Sequence, residues 1–193
     1  MPMSRRMLAA CLALLPVVPS AAQAPDGRYG LGQAATAAQI KSWDVDVAPD
    51  GRNLPTGRAT IAQGRALYAE RCAGCHGERG EGGLGDRLVG GRGTLATPNP
   101  VKTVGSYWPY ATTLFDYVRR AMPLNAPQSL SNEEVYATAG YVLFLNGLVD
   151  ETAVIDASLL TKLKMPNRDG FVADPRPDVH DSACLRDCAA TPP

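Results

Sequence analysis

The chain has 193 residues, which is enough for one domain of ordinary size with extensions and too few for a large multidomain enzyme. Its 19 basic and 19 acidic residues give a formal net charge of zero, which argues against nucleic acid as the main partner, because phosphate binding needs a basic excess. Hydrophobic residues make up 45% of the chain, so it can bury a core, while 19 glycines and 16 prolines predict long loops.

The first 22 residues have the features of a secretory signal peptide. A basic pair, residues 5–6, precedes an apolar run, residues 7–18, that is too short to span a bilayer, and small residues follow. We therefore expect cleavage after Ala22, export to the periplasm and no membrane span in the mature chain. The alternatives are a lipoprotein, because residues 8–11 (LAAC) resemble a lipobox, and an uncleaved anchor.

A first helix is predicted to lead into a short motif of cysteines and a histidine. Thr60 and Gln63 have the spacing of a capping box, and apolar residues then recur at helical spacing. Residues 72–76 (CAGCH) have the C-x-x-C-H pattern of covalent haem attachment. Two thiols three residues apart share one helical turn, so each can add to a vinyl group of the haem, and the adjacent histidine can coordinate iron.

The motif therefore indicates one covalently bound haem c. Cys72 and Cys75 would hold the ring, and His76 would be an axial ligand of the iron. The alternatives for the cysteines are a disulfide, a thioredoxin-like redox pair, or half of a four-cysteine zinc site. None of these three explains the adjacent histidine.

The chain after the motif predicts a loop and two further helices. Eight glycines between residues 77 and 93 exclude regular structure there and suit a chain that curves around a haem edge. The second helix is expected to be capped by Thr113 and stopped by Pro123, directly after Met122. The third helix is strongly apolar and is expected to end at Gly147.

The order of these elements resembles a class I cytochrome c over about residues 56–150. In that fold the first and last helices cross at a close contact between a glycine and aromatic residues, and Gly64, Tyr68 and Tyr141 match these roles. A capping box that begins at Ser131 opens the last helix. The resemblance implies an all-α fold of short helices around one covalently bound haem, with long irregular N- and C-terminal extensions.

The resemblance also implies that Met122, after the second helix, is the sixth ligand of the iron. Met165, His180 and an open coordination position are the alternatives. A thioether ligand raises the reduction potential relative to a second histidine, whereas an open position would favour a haem enzyme or sensor. His76 should donate a hydrogen bond to a carbonyl, but the first proline after the motif is Pro98, so the sequence leaves this acceptor open.

Longer runs resemble a narrower group. Residues 40–47 (IKSWDVDV), 102–123 (KTVGSYWPYATTLFDYVRRAMP), 164–171 (KMPNRDGF) and 176–179 (RPDV) are similar to the cytochrome c subunit of the sulfane and sulfite dehydrogenases of the Sox sulfur-oxidation pathway. The resemblance implies an electron-transfer subunit rather than a catalyst. It would accept electrons one at a time from a molybdenum-cofactor dehydrogenase subunit and pass them to a downstream cytochrome or oxidase.

The predicted domain organisation leaves much of the chain outside the haem domain. We expect an N-terminal extension at 23–55, the cytochrome c domain at 56–150 and a C-terminal extension at 151–193 that wraps a partner. Trp43 and Trp108 are candidate anchors at such an interface, because aromatic residues dominate interface hot spots. The alternative is that both pack inside this chain, with Trp108 near the haem edge.

Two further pairs of residues have predicted roles. Cys184 and Cys188 can form a disulfide in an oxidising compartment, with a redox-active or metal-binding pair as the alternative. Arg119 and Arg120, beside Met122, could face haem propionates, a partner or solvent.

Overall fold

The structure is a computed structural model, and it describes residues 31–174. The predicted signal peptide, His180 and the cysteine pair at positions 184 and 188 lie outside the described residues. The chain divides into two compact units, Met1–Trp43 and Asp44–Pro193. In the first unit, the described part contains one short helix, α1 (Ala37–Trp43), which buries none of its residues.

The second unit contains five helices and one small sheet within the described residues. In chain order they are β1 (Arg58–Thr60), α2 (Ile61–Arg71), α3 (Ala73–His76), α4 (Ala111–Ala121), α5 (Asn132–Leu145), β2 (Val154–Asp156) and α6 (Ala157–Lys162). No helix or strand occurs between His76 and Ala111, as the glycine-rich sequence predicts.

Both predicted capping boxes are confirmed. The Thr60 side chain accepts a hydrogen bond from the backbone N–H of Gln63, whose own side chain accepts one from the Thr60 backbone. Ser131 and Glu134 make the same reciprocal pair at the start of α5. These bonds satisfy backbone N–H groups that have no partner in the first turn of a helix, which fixes where each helix begins.

The predicted cap of α4 is wrong. The helix begins at Ala111, two residues before Thr113, and its N-cap is Tyr110, which makes no capping hydrogen bond through its side chain. Thr112, in the first turn, donates its hydroxyl to the Pro49 carbonyl instead. A threonine inside a first turn has the same local signature as a capping threonine, so the sequence could not separate them.

The helices α2 and α5 cross at Gly64, as the cytochrome resemblance implies. A Cβ atom on Gly64 would lie 2.8 Å from the Cβ of Tyr141 and would overlap the carbonyl oxygen of Ala137. The rings of Tyr68 and Tyr141 pack beside this contact with their centroids 5.3 Å apart. Only a residue without a side chain lets the two backbones approach this closely.

A small sheet extends the core beyond the predicted domain. The strands β1 and β2 are antiparallel, with Ala59 opposite Ile155, and both of these residues are buried. Leu160 and Met165 are also buried in the same core. The fold is the cytochrome c fold that the sequence predicts, but its core includes residues that the sequence placed in the C-terminal extension. These strands could not be predicted, because three residues are too few to show a period-two pattern.

No helix among residues 31–174 is both long enough and apolar enough to span a lipid bilayer.

Candidate haem-binding site

The C-x-x-C-H motif forms a single helical turn at the end of α2. The helix α2 ends at Arg71, and α3 follows directly. The backbone N–H groups of Cys75 and His76 both donate to the Cys72 carbonyl, at 3.1 and 3.0 Å. This turn therefore carries both sulfur atoms and the imidazole. The two cysteines are free thiols, so the structure does not contain a disulfide between them.

The His76 ring is oriented by the glycine-rich loop. Its Nδ1 lies 2.7 Å from the carbonyl oxygen of Asp86. A carbonyl oxygen can only accept a hydrogen bond, so Nδ1 carries the proton and Nε2 keeps a lone pair for a metal. Asp86 is the acceptor that the sequence left open. Its role depends on a backbone carbonyl placed by the loop, and a backbone carbonyl has no sequence signature.

A glycine beside the ring leaves the space that this orientation needs. A Cβ atom on Gly85 would lie 2.8 Å from Cε1 of His76 and 3.0 Å from Nδ1. The same residue donates its backbone N–H to the Cys75 carbonyl at 2.8 Å, and Gly82 donates to the His76 carbonyl at 2.7 Å. The loop therefore folds back onto the motif, and two of its backbone N–H groups donate to carbonyls of the motif.

The end of α5 fastens the next part of this loop. Asn146 donates through Nδ2 to the Leu88 carbonyl at 3.1 Å, and its Oδ1 accepts from the Gly90 N–H at 3.3 Å. The Tyr68 hydroxyl donates to the Gly77 carbonyl at 3.0 Å, where the loop begins. The crossing helices thus position the glycine-rich loop at its start and in its middle.

The thiol of Cys72 is protonated at neutral pH. It is half-buried, and burial raises its pKa to about 11, with a further contribution from the nearby Cys75. Removal of a thiol from water disfavours the charged thiolate. An unmodified Cys72 is therefore a poor ligand for a bare metal ion, which requires the thiolate.

Met122 lies at the position that ends α4. It is the C-cap residue, and its backbone N–H donates to the Val118 carbonyl at 3.1 Å. Pro123 follows it and the helix stops there, as predicted. The Met122 side chain is half-buried against the core, whereas Met165 is fully buried within it.

The two arginines before Met122 contact their own chain. Arg119 donates to the Val45 carbonyl at 3.0 Å, and Arg120 donates through Nε to Asp116 at 2.9 Å. The buried Asp116 carboxylate also accepts from the backbone N–H of Val47 at 2.7 Å. These bonds fasten the segment before β1 to the last turns of α4. Asp116 was not predicted to have this role, because Val47 lies 69 positions away from it in the chain.

The donor set fits a haem c better than a bare metal ion. Residues 31–174 contain no group of three or more histidine, cysteine and carboxylate side chains that could hold an ion. They do contain the two thiols of one helical turn, a histidine with a free Nε2 and a half-buried thioether. Two cysteines for the thioether links and a histidine for the iron are what a haem c needs, and a methionine thioether is one of the axial ligands that cytochromes c use.

Comparison with known proteins identifies the family. The family described as cytochrome c oxidase, cbb3-type, subunit III matches residues 59–142. A chain in the crystal structure of the sulfane dehydrogenase SoxCD from Paracoccus pantotrophus is 42% identical, with a TM-score of 0.72. The match covers 84% of this chain and 83% of that chain. The chain belongs to the cytochrome c family.

This cytochrome also resembles two curated proteins named thiosulfate dehydrogenase. The protein from Stutzerimonas stutzeri is 30% identical over 142 residues, which are 66% of this chain and 44% of that protein. The protein from Allochromatium vinosum is 39% identical over 83 residues, which are 42% of this chain and 29% of that protein. The cytochrome therefore spans less than half the length of either relative. Membership of the family implies haem c as the cofactor.

Proposed function

We propose that this cytochrome is the periplasmic, one-haem electron-transfer subunit of a sulfur-compound dehydrogenase. It accepts electrons one at a time from a molybdenum-cofactor subunit and passes them to a downstream cytochrome or oxidase of the respiratory chain. The observation that carries the proposal is the 42% identity over 83% of a chain from a sulfane dehydrogenase. One C-x-x-C-H motif in the full sequence supports one haem.

In this proposal Cys72 and Cys75 form the thioether links, and His76 and Met122 are the axial ligands of the iron. When bound, the haem supplies a one-electron couple between ferrous and ferric iron. The Asp86 carbonyl orients the imidazole and raises its basicity through the hydrogen bond to Nδ1. The half-buried Met122 supplies a neutral, soft sulfur, which favours the ferrous state.

The chain does not carry the sulfur chemistry in this proposal. The exposed residues of α1 are suited to binding a partner. Trp43 is 86% exposed and Ile40 is 56% exposed, one helical turn apart. Both belong to the predicted N-terminal extension. We propose that this helix contacts the catalytic subunit.

Co-purification from the native host tests the partner. We expect the cytochrome to elute with a molybdenum-containing protein, and the addition of sulfite or a sulfane compound to reduce the haem. A cytochrome that elutes alone and stays oxidised would remove the partner from the proposal. A colourless mature protein with the mass of the bare polypeptide would remove the haem as well.

A pair of methionine substitutions tests the sixth ligand. Met122→Ala should abolish the weak far-red absorption band of methionine-ligated ferric haem and lower the reduction potential. Met165→Ala is the matched control: the band and the potential should persist, while stability falls by about 2–5 kcal/mol because a buried side chain is lost. The opposite result would assign the ligand to Met165. If neither variant changes the band, and the ferric protein binds added ligands, a haem enzyme or sensor with an open position is the better description.

A further inference from the structure

Two distant stretches of the chain pack together to form one surface outside the haem-binding site. Asn167, in the stretch 164–172, donates through Nδ2 to the Tyr107 carbonyl at 2.7 Å. The rings of Tyr107 and Phe171 meet edge to face, with their centroids 5.2 Å apart. The stretches 102–110 and 164–172 therefore form one continuous surface.

Two cations lie over the aromatic rings of this surface. The Lys102 ammonium is 5.0 Å from the centre of the Tyr107 ring, and the Arg168 guanidinium is 4.1 Å from the centre of the Tyr110 ring. Neither cation forms an ion pair within residues 31–174. The rings hold both charges in place but do not neutralise them, so both cations remain available to carboxylates of a partner.

Large apolar side chains remain exposed beside these charges. Phe171 is 53% exposed, and the adjacent Val172 is 88% exposed. Trp108 packs edge to face on the half-exposed Tyr117 at 5.8 Å. We name this region the aromatic-basic surface, and its members are Lys102, Tyr107, Trp108, Tyr110, Tyr117, Arg168, Phe171 and Val172. Aromatic residues and arginine are the types enriched at the centres of protein interfaces.

The aromatic-basic surface is connected to the candidate haem site. Thr103, next to Lys102, donates its hydroxyl to the Gly90 carbonyl at 2.6 Å. The Gly90 N–H in turn contacts Asn146, which also binds the Leu88 carbonyl of the loop that orients His76. A chain of hydrogen bonds therefore joins this surface to the loop that orients His76.

We propose that the aromatic-basic surface docks the subunit that donates electrons to this cytochrome, through a complementary surface with an apolar centre and a rim of carboxylates. This inference rests on the proposed function. Two unneutralised cations over half-buried rings, with Phe171 and Val172 exposed beside them, fit a partner that presents acidic groups around an apolar centre. The chain has a further 19 residues after position 174, which is close to Val172. This length is enough to extend over a partner that stays bound, rather than over an acceptor that binds only briefly.

Two substitutions in the holoprotein test the docking surface. The probe is the purified molybdenum-containing dehydrogenase subunit, and the measurements are its dissociation constant and the rate at which it reduces the haem. Phe171→Ala should raise the dissociation constant about 10- to 30-fold, as expected for an aromatic residue at an interface centre. Lys102→Ala should slow association several-fold at low salt and weaken its dependence on ionic strength.

Matched controls come from the small sheet. Val154→Ala removes another half-exposed apolar side chain, and Arg58→Ala removes another exposed cation, both away from the two stretches that form this surface. Neither control should change binding or reduction by more than about twofold. Unaltered haem spectra and unfolding midpoints should show that all four variants fold, since none of these side chains is buried in the core.

The outcomes separate this inference from the proposed function. If the wild-type protein is not reduced by the dehydrogenase subunit, the proposed function and this inference both fall. If the wild type is reduced but Phe171→Ala and Lys102→Ala behave like the controls, only the docking surface is wrong. If these two variants lose transfer to a downstream acceptor, or lose self-association, while donor binding is intact, the surface serves another occupant and the inference is overturned.

Discussion

The Nδ1 atom of His76 donates a hydrogen bond to the carbonyl oxygen of Asp86 at a distance of 2.7 Å. This bond joins the motif turn to the glycine-rich loop ten residues further on. It fixes the tautomer of the ring and so decides which nitrogen is available to a metal. The loop contains no regular secondary structure, yet it orients the His76 ring. Its glycines allow the loop backbone to approach the ring closely.

Gly85→Ala is expected to raise the reduction potential of the holoprotein. The added Cβ would contact the His76 ring at 2.8 Å, tilt it and weaken the bond to Asp86. A less basic imidazole stabilises ferric iron less. Loss of about 1 kcal/mol of hydrogen-bond energy corresponds to about 40 mV for a one-electron couple. Potentiometric titration measures the shift. The neighbouring Leu84→Ala, at an exposed position, should leave the potential unchanged.

Gly64→Ala is expected to destabilise the protein by about 1–3 kcal/mol or more. The new methyl group would overlap the Ala137 carbonyl at the crossing of α2 and α5. Helix propensity alone predicts the opposite sign, a gain of about 1 kcal/mol. Chemical denaturation measures the change. Ala66→Gly, on the exposed side of the same helix, calibrates the propensity effect and should cost about 1 kcal/mol. A stabilised Gly64→Ala variant would show that the helices do not meet there.

Tyr68→Phe is expected to cost about 1 kcal/mol at pH 7, because the Gly77 carbonyl loses its donor. The difference should then shrink and reverse above about pH 10. Burial raises the pKa of Tyr68 above the value of about 10 that it has in the unfolded chain. Between these two pKa values the native state binds more protons than the unfolded state, so the stability from this group is present below pH 10 and is lost as the pH rises.

Denaturation of wild type and variant from pH 7 to pH 11 tests this pH dependence. The wild-type free energy of unfolding should fall relative to the variant by up to about 1.4 kcal/mol per pH unit above pH 10. Tyr117→Phe is the matched control, because Tyr117 is half-exposed and its hydroxyl makes no hydrogen bond within residues 31–174. A constant gap between wild type and Tyr68→Phe over the whole range would contradict the burial of this phenol.

Asp116→Ala is expected to destabilise the protein by about 2–3 kcal/mol. The substitution leaves the buried Val47 N–H without its acceptor and removes the ion-pair partner of the half-exposed Arg120. Thermal or chemical unfolding measures the loss. Glu151→Ala removes an exposed ion pair with Arg65 and should change stability by less than about 1 kcal/mol, because solvent screens that pair. Equal effects of the two substitutions would show that the Asp116 bonds add nothing beyond a surface pair.

Local signals in the sequence predicted much of the fold. The capping boxes that begin at Thr60 and Ser131, and the stop after Met122, depend on residues within one helical turn of each other, and the structure confirms all three. The wrong prediction of Thr113 as a cap also came from a local pattern, because a threonine at the cap and one inside the first turn have the same local signature. The small sheet and α6 escaped prediction because three to six residues carry too little periodicity.

The residue types and their local spacing establish which chemistry the chain can offer, namely two thiols and a histidine at the spacing of one helical turn. The capping residues likewise establish helix ends. Three features depend on the tertiary structure instead. They are the carbonyl that accepts the hydrogen bond from His76, the anchoring of Val47 by Asp116 and the contact between stretches 102–110 and 164–172. Each of these depends on backbone groups, or on residues tens of positions apart. Such contacts form when packing brings segments together, and no local pattern records them.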